Sequence, residues 1–255
     1  MKFTARKTLI ASALLLALGS AHAAVETFNI GDEFNGLTAT GYGTLTLSDN
    51  LIAAMNVGQI SFEEFGGATA NIVRDTDGAY VSLSVTAEGT SLSIDTVTRE
   101  VVGLTTTGGA TLTASPLRGV SSGGFLTISD IAFNVPTKTV FATVIGGNGV
   151  GTVSNVALWQ AASLTGGTTV EGPGIYENSI TGLSITTQGF DLFKQALGLQ
   201  FLGLAALGSV EDYGSVNSTI IATAVTPAIP EPSTYALMGL GLVGLGLVAR
   251  RRQAA

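Results

Sequence analysis

The sequence predicts an all-β protein whose body is a single β-sandwich or β-roll domain with one or two short helices late in the domain. Three observations support this class. Glycine, serine, threonine and valine are abundant while charged residues make up 11% of the chain, which is typical of short strands joined by tight turns. Many short segments alternate apolar and polar residues, the period of a half-buried strand. Turn signals recur at intervals of roughly 8–12 residues, as they do in sandwiches.

The clearest local element is a hairpin formed by residues 70–73 and 79–86. Asp75-Thr76-Asp77-Gly78 separates the two strands, and Asp-Gly is a strong signal for chain reversal. The two aspartates could also begin a calcium loop, but such a loop needs a glutamate at its twelfth position, where Thr86 stands. The turn is therefore the favoured interpretation.

Other segments with strand character lie on both sides of this hairpin. Residues 50–65 are mixed in pattern, and residues 164–180 are predicted as a longer loop around Gly172-Pro173-Gly174. The remaining predicted strands are residues 25–30, 37–47, 91–95, 98–104, 110–114, 125–133, 139–145, 150–159, 181–187 and 216–225.

The period changes from two to about 3.6 after residue 187, which predicts the late helices. Two glycines interrupt the pattern, so one or two short helices are expected. We interpret the apolar stripe as core packing instead of a ligand site; it consists of Phe190, Phe193, Leu197, Phe201 and Leu204.

The body lacks the residues of most nucleophilic and metal chemistry. The chain has no cysteine, and its one histidine, His22, precedes the body. This excludes Ser-His-Asp triads, cysteine nucleophiles and zinc sites built from histidine or cysteine in the body. We expect no cofactor, no metal site and no catalytic residue.

Two alternatives to this expectation remain open. Paired carboxylates could support a carbohydrate-active enzyme, with Asp95, Glu100 and Asp130 in or near strands. Glu63-Glu64 and Glu211-Asp212 are adjacent pairs, but neighbours on a strand point to opposite faces. Aromatic side chains could stack on sugars, and these are Trp159, Tyr80 and Tyr176, with core packing favoured for Trp159.

The body is strongly acidic. All 18 acidic residues except Glu231 lie between residues 24 and 225, whereas the 11 basic residues of the chain include only five in that range. Those five are Arg74, Arg99, Arg118, Lys138 and Lys194. Such a surface disfavours nucleic acid, which requires basic patches, and disfavours anionic lipid.

The N-terminus has the organisation of a secretory signal peptide. Lys2, Arg6 and Lys7 form a basic region, and residues 9–18 form an apolar core. Ala21 and Ala23 supply the small-residue pattern that precedes a cleavage site. We expect cleavage after Ala23, and export of the body.

The C-terminus combines three features in a fixed order. A short polar motif, Pro230-Glu231-Pro232-Ser233-Thr234, is followed by the uncharged apolar segment 235–249 and then by Arg250, Arg251 and Arg252. The prolines favour an extended segment. The apolar segment is shorter than the ~20 residues of a typical membrane helix. The arginines favour the cytoplasmic side, so the sequence predicts a C-terminal transmembrane helix with the body outside.

This arrangement resembles the PEP-CTERM sorting signal of Gram-negative bacteria. The resemblance covers only the tail and rests on Pro230-Glu231-Pro232, the glycine- and leucine-rich span and the cluster 250–252. It implies recognition of the tail by an exosortase, removal of the tail, and release of the body or its attachment to the cell surface. It also implies that the protein is associated with extracellular polysaccharide and biofilm.

These observations predict a signal peptide (1–23), a β-rich extracellular domain (24–225), and a linker with a sorting tail (226–255). The expected function is that of an exported, non-enzymatic surface or extracellular-matrix protein. Its expected partners are exosortase and, beyond processing, extracellular polysaccharide or further copies of itself, with transient membrane insertion. The alternatives are the carboxylate enzyme and a permanently anchored single-pass surface protein.

Overall fold

The computed structural model describes residues 25–225 and, in the tail, residues 237, 238, 240 and 242. Residues 25–225 form thirteen strands and three helices. The strands are β1 (Val25–Asn29), β2 (Glu33–Phe34), β3 (Leu37–Leu47), β4 (Ile60–Phe65), β5 (Thr69–Arg74), β6 (Tyr80–Asp95), β7 (Val101–Thr106), β8 (Gly109–Ala114), β9 (Gly124–Asn134), β10 (Thr139–Gly146), β11 (Gly151–Gly166), β12 (Gly174–Ile185) and β13 (Gly214–Ala224). The helices are α1 (Asp49–Gly58), α2 (Thr187–Ala196) and α3 (Phe201–Gly208).

All thirteen strands belong to one antiparallel sheet, and this sheet closes on itself. The ring runs from β6 through β3, β13, β12, β11, β10 and β9 to β7, which pairs with β6 again. Closure depends on β7, because it pairs with β6 on one side and with β9 on the other. The body is therefore a closed roll with an inside and an outside.

The two ends of the roll differ. We call the end where β3 finishes and β13 begins the helical pole, because α1 follows β3 there and α2 and α3 precede β13. The opposite end, where β3 begins and β13 finishes, is called the terminal pole. At the helical pole β5 pairs with β6, and β8 and β4 extend the sheet from β9.

Two of the helices begin with a side-chain cap that the sequence supplies. The Ser48 hydroxyl accepts a hydrogen bond from the Leu51 N–H at 3.1 Å and starts α1. The Thr186 hydroxyl accepts one from the Gly189 N–H at 3.0 Å and starts α2. Such caps satisfy N–H groups that have no partner within the helix. They fix both helices across the helical pole.

The interior holds two apolar clusters. The larger lies in the middle and helical half of the roll and includes Leu126, Val144 and Leu158, each fully buried. The smaller lies at the terminal pole, where Ile220 and Ala222 of β13 pack among residues of β6, β7 and the segment after β11. The last strand before the tail is thus anchored in the core.

The mostly β character and the late helices are confirmed, and so is the hairpin between β5 and β6. The Asp75 carboxylate accepts hydrogen bonds from the Asp77 N–H at 3.0 Å and the Ala79 N–H at 2.9 Å, and Gly78 has φ of 86°. The carboxylate is committed to the turn, as the turn interpretation requires.

Three expectations about the fold need correction. The mixed segment 50–65 contains α1 and β4, so one helix lies early in the chain. The predicted loop 164–180 is wrong for most of its length, because β11 runs to Gly166 and β12 begins at Gly174. A single closed sheet also replaces the two separate sheets of a sandwich, since β7 joins β6 to β9.

The apolar stripe of the late helices is core only in part. Phe193 and Leu197 are buried, whereas Phe201, at the start of α3, is 80% exposed. The prediction of core packing is therefore wrong for Phe201. Among the described residues, no helix is long and apolar enough to cross a bilayer. The predicted span 235–249 lies largely outside the described residues.

Tyr213 provides a test of the packing where the helices meet the sheet. Its ring stands edge-on to Phe193, with 6.4 Å between ring centroids, and its hydroxyl is buried without a hydrogen-bond partner among the described residues. Burial raises the pKa of the Tyr213 phenol well above its ordinary value. Above about pH 10 the unfolded chain releases this proton while the folded protein keeps it, so stability falls as the pH rises.

We expect Tyr213→Phe to be as stable as wild type at neutral pH or slightly more stable, because an unpartnered buried hydroxyl is costly. The variant should then gain on wild type above about pH 10. Urea unfolding of both proteins across this pH range measures the difference. A difference that does not change with pH would contradict the account.

Candidate functional site

The two ends of the body leave the roll at the same pole. Val25, at the start of β1, pairs with Asp95 at the end of β6. Ala224, at the end of β13, pairs with Leu37 at the start of β3, and the Val225 N–H donates to the Gly36 carbonyl at 2.8 Å. Because antiparallel β3 and β6 bring these ends together, both junctions lie at the terminal pole. The helical pole points away from them.

The junction with the tail is held firmly. β13 pairs with β3 over its whole length and with β12 over most of it. At the end of β13, the buried side chains of Ile220 and Ala222 alternate with exposed side chains. The tail therefore follows a strand that is paired on both sides and anchored in the core.

The candidate sorting residues follow this junction. Pro230, Glu231, Pro232 and Ser233 lie outside the described residues, as do Arg250, Arg251 and Arg252 and the cleavage-site residues Ala21 and Ala23. Within the apolar segment, Leu237, Met238, Leu240 and Leu242 are helical and exposed. Four apolar side chains exposed at once suit a nonpolar environment better than water.

Comparison with protein-family models identifies the tail. Residues 228–252 match the PEP-CTERM protein-sorting motif. The match spans the polar motif, the apolar segment and the arginine cluster, which confirms the resemblance drawn from the sequence. The motif indicates an exported protein that is sorted by exosortase to the cell envelope or the extracellular space. No curated protein and no solved structure matches the chain.

The carboxylates considered for catalysis have structural partners. Asp95 accepts hydrogen bonds from the Thr98 N–H at 3.0 Å and the Val97 N–H at 2.9 Å, which lower the pKa of its carboxyl below the ordinary value of 3.8. A general acid needs a raised pKa, so this environment does not suit Asp95 for that role. Glu100 shares the same loop, since its carbonyl accepts from the Asp95 N–H at 2.9 Å.

The pKa of Asp95 leads to a prediction for the turn between β6 and β7. A depressed pKa in the folded state means that Asp95→Asn loses stabilisation at neutral pH, above the ordinary pKa of 3.8. The difference from wild type should vanish as the pH falls through the lower pKa of the folded protein. Thermal unfolding of both proteins between neutral and acid pH tests this. A deficit that persists at about pH 2 would contradict it.

The other acidic residues considered for catalysis lie in two parts of the roll. Asp130 lies at an irregularity of β9 and accepts from the Ser129 hydroxyl at 3.3 Å. Glu64 accepts from the Ala70 N–H at 2.6 Å between β4 and β5, while Glu63 pairs with Thr111 of β8. Asp212 accepts from the Gly214 N–H at 2.8 Å, next to Glu211, which is exposed. Glu63, Glu64 and Asp130 thus belong to the part of the sheet formed by β4, β8 and β9, whereas Glu211 and Asp212 precede β13.

The aromatic residues considered for sugar stacking also make contacts within the fold. Trp159 is 2% exposed and Tyr80 is buried beneath the Arg74 guanidinium, which lies 3.9 Å from its ring centroid. The Tyr176 hydroxyl donates to the Gly172 carbonyl at 2.7 Å and fastens the loop before β12. The preference for core packing of Trp159 agrees with this burial. Among the described residues, no group of three or more histidine, cysteine, aspartate or glutamate could hold a metal ion.

The structure reveals one polar cleft that the sequence did not suggest. It lies at the helical pole, is shallow and wide open to solvent, and has a volume of about 730 Å³. Its polar lining comes from the segment before β9, the turn after β10, and α2 with the residues that follow; these side chains are Ser122, Asn148, Asp191, Lys194, Gln195 and Gln200. The residues are far apart in the sequence and share no pattern, so only the fold assembles them.

Contacts within the cleft leave part of its polar surface available. The Asn148 amide donates to the Gly123 carbonyl at 2.9 Å and the Ala196 carbonyl at 3.1 Å, and the Gln195 amide donates to the Asn148 carbonyl at 3.1 Å. These bonds fix the walls of the cleft. The charged groups of Asp191 and Lys194 lie on the exposed face of α2. A carboxylate, an ammonium and amide oxygens together can bind a hydroxyl-rich ligand.

Proposed function

We propose that the protein is a non-enzymatic surface or extracellular-matrix protein of a Gram-negative host, whose body remains in an exopolysaccharide or biofilm matrix after exosortase removes the tail. The observation that carries the proposal is the combination of the sorting motif with its position on the body. Residues 228–252 match that motif, and the strand that leads to them ends at the terminal pole. Processing at that pole leaves the closed roll unchanged.

The polar cleft at the helical pole supports a role in binding polysaccharide. It lies at the end of the roll opposite the tail, so it faces away from a membrane that holds the tail. Its hydroxyl, amide, carboxylate and ammonium groups can exchange hydrogen bonds with sugar hydroxyls. The acidic surface of the body keeps it from binding nucleic acid or anionic lipid nonspecifically.

Retention in the matrix tests this proposal. In the native host, the protein should be recovered from the washed extracellular matrix, and it should shift to the medium in a strain that does not export polysaccharide. A distribution that is the same in both strains would overturn the proposal.

Two double variants test whether the charged residues of the cleft, and not charged residues elsewhere on the surface, bind the matrix. Asp191→Ala/Lys194→Ala should move the protein from the matrix to the medium. Glu26→Ala/Lys138→Ala removes one acidic and one basic residue near the terminal pole and should leave the distribution unchanged. If both double variants behave like wild type, the cleft is not the contact with the matrix.

A further inference from the structure

The interior of the closed roll is incompletely filled. Three apolar cavities lie within it, of about 80 Å³ in the centre and about 40 Å³ towards each pole. Protein interiors are close-packed, and voids larger than a water molecule are few. A closed sheet of eight strands is wide enough either to be filled by its side chains or to hold one small ligand.

The cavities form a row along the roll. The central cavity and the cavity towards the helical pole share walls made by Leu51, Met55 and Phe193. The central cavity and the cavity towards the terminal pole share walls made by Gly43 and Val216. Single side chains therefore separate neighbouring cavities, and the long, unbranched thioether of Met55 adapts easily to a neighbour. The space suits a slender molecule better than a bulky one.

Small residues create the central cavity. Gly43 on β3, Ala87 on β6 and Ala110 on β8 line it, where larger side chains would fill the space. A Cβ built at Gly43 would meet its nearest neighbour, the Thr106 methyl group, at 3.6 Å, an ordinary contact. The backbone at this position therefore has room for a side chain. The cavity exists because the sequence has glycine here, and not because the fold excludes a larger residue.

One residue that lines this cavity has a buried polar atom without a partner. Trp159 lines the central cavity, its side chain is 2% exposed, and its Nε1 has no hydrogen-bond acceptor among the described residues. Buried donors of this kind are nearly always paired in folded proteins. A buried water needs two to four polar partners, which an apolar wall does not supply. The donor is thus suited to an acceptor on a molecule that is otherwise apolar.

We propose that the roll binds one uncharged, slender and mostly aliphatic molecule with a single hydrogen-bond acceptor, which takes the Trp159 Nε1–H while the chain lies along the row of cavities. A cavity of roughly 150 Å³ lined by aliphatic residues stays dry and binds small apolar ligands, and the three cavities together have a similar volume. Burial of the aliphatic chain supplies the affinity, and Trp159 supplies the selectivity for an acceptor.

Access is through the helical pole. The cavity towards the helical pole lies directly beneath α1 and α3, with Gly203 and Leu207 of α3 in its wall. α3 exposes Phe201 and Leu202, and Gln200 at its N-terminus makes no side-chain capping bond within the described residues. The start of α3 is held to the segment before β9 by hydrogen bonds from the Leu202 N–H to the Gly119 carbonyl and from the Gln200 N–H to the Val120 carbonyl. A short helix with exposed apolar residues opens at lower cost than the paired strands around it.

Trp159 is the only tryptophan in the chain, so its fluorescence reports on the cavity alone. The protein purified from its host is titrated with 2-nonanone and, separately, with n-nonane, which has the same chain length and no acceptor. We expect a saturable change in emission at one-to-one stoichiometry with the ketone, and about three- to tenfold weaker binding of the alkane. No saturable change with either probe would overturn the proposal, and so would equal affinity for both.

Variants show whether binding occurs inside the roll. Gly43→Val fills the central cavity and should abolish the response, whereas Gly167→Ala, in the loop after β11, should keep it. If Gly43→Val does not fold, Ala87→Val fills the same cavity and gives the same test. In Trp159→Phe, followed by calorimetry, the ketone should lose its advantage over the alkane. A Gly43→Val or Ala87→Val protein that folds and binds 2-nonanone as wild type does would also overturn the proposal.

Discussion

Replacing Glu231 and Pro232 together by alanine is expected to leave the protein in the membrane fraction of its host, with the tail intact. The motif lies within the matched residues 228–252, between the end of β13 and the apolar segment. Proline residues favour an extended backbone, which is the form that a processing enzyme can bind. Without recognition, the apolar segment and Arg250–Arg252 stay attached and hold the protein at the bilayer.

The measurement is extraction of membranes with alkaline carbonate, followed by immunodetection of the body. Wild type should be recovered from the medium or the cell surface, and the Glu231→Ala/Pro232→Ala variant almost entirely from extracted membranes. Pro227→Ala serves as a matched control, because it removes a proline just before the matched residues. Equal release of wild type and the double variant would show that this motif does not direct processing.

The second large effect concerns the pairing of β8 with β9, and Gly109→Ala is expected to destabilise the fold by about 3 kcal/mol. Gly109 begins β8 and pairs with Ser129 of β9. A Cβ at this position would overlap the backbone carbonyl oxygen of Ile128. Backbone on a central strand cannot move away as a flexible side chain can, so the strands must separate. The result should be a lower midpoint of urea unfolding, with the body still folded in water.

Gly167→Ala is the matched control for this substitution. Among the described residues no atom lies within 4 Å of a Cβ built at Gly167, which follows β11 in the loop before β12. Its effect should therefore stay within about 0.5 kcal/mol. If Gly109→Ala is as stable as Gly167→Ala, the close pairing of β8 with β9 is wrong, and with it the extension of the sheet by β8 and β4 at the helical pole.

The local elements with strong chemical signals could be predicted from the sequence. Asp75 and Gly78 identify the hairpin of β5 and β6, because Asp-Gly favours a reversal whatever the remainder of the fold. The change of period after residue 187 identifies α2 and α3 for the same local reason. The sorting motif of the tail could be identified because the polar motif, the apolar segment and the arginines are adjacent in the chain and need no tertiary structure.

Two elements were missed although signals exist. Ser48-Asp49 before Leu51 is a helix start, with a capping hydroxyl and an acidic residue in the first turn, but the helix that follows is short and leads directly into β4. Residues 164–180 contain glycines and a proline that suggested a loop. In the structure Gly166, with φ of 107°, ends β11, and the loop is confined to the residues before Gly174.

Closure of the sheet and assembly of the polar cleft could not be predicted from the sequence. β6 pairs along its length with β1, β3, β5 and β7, and no local pattern tells which strand lies beside which part of it. The cleft joins Ser122, Asn148 and Gln200 from segments that meet only when α2 packs against β9 and β10. The burial of Trp159 likewise depends on long-range pairing of β11 with β10 and β12.

The central claim is that the tail is a processed sorting signal and that the body alone is the mature protein. The most direct measurement is the intact mass of the protein recovered from the medium and the cell surface of its native host. We expect the mass of a chain that begins after Ala23 and ends near residues 230–233, plus the mass of any group added at the new C-terminus. A mass that includes Arg250, Arg251 and Arg252 would contradict the claim and make the tail a permanent anchor of a single-pass surface protein.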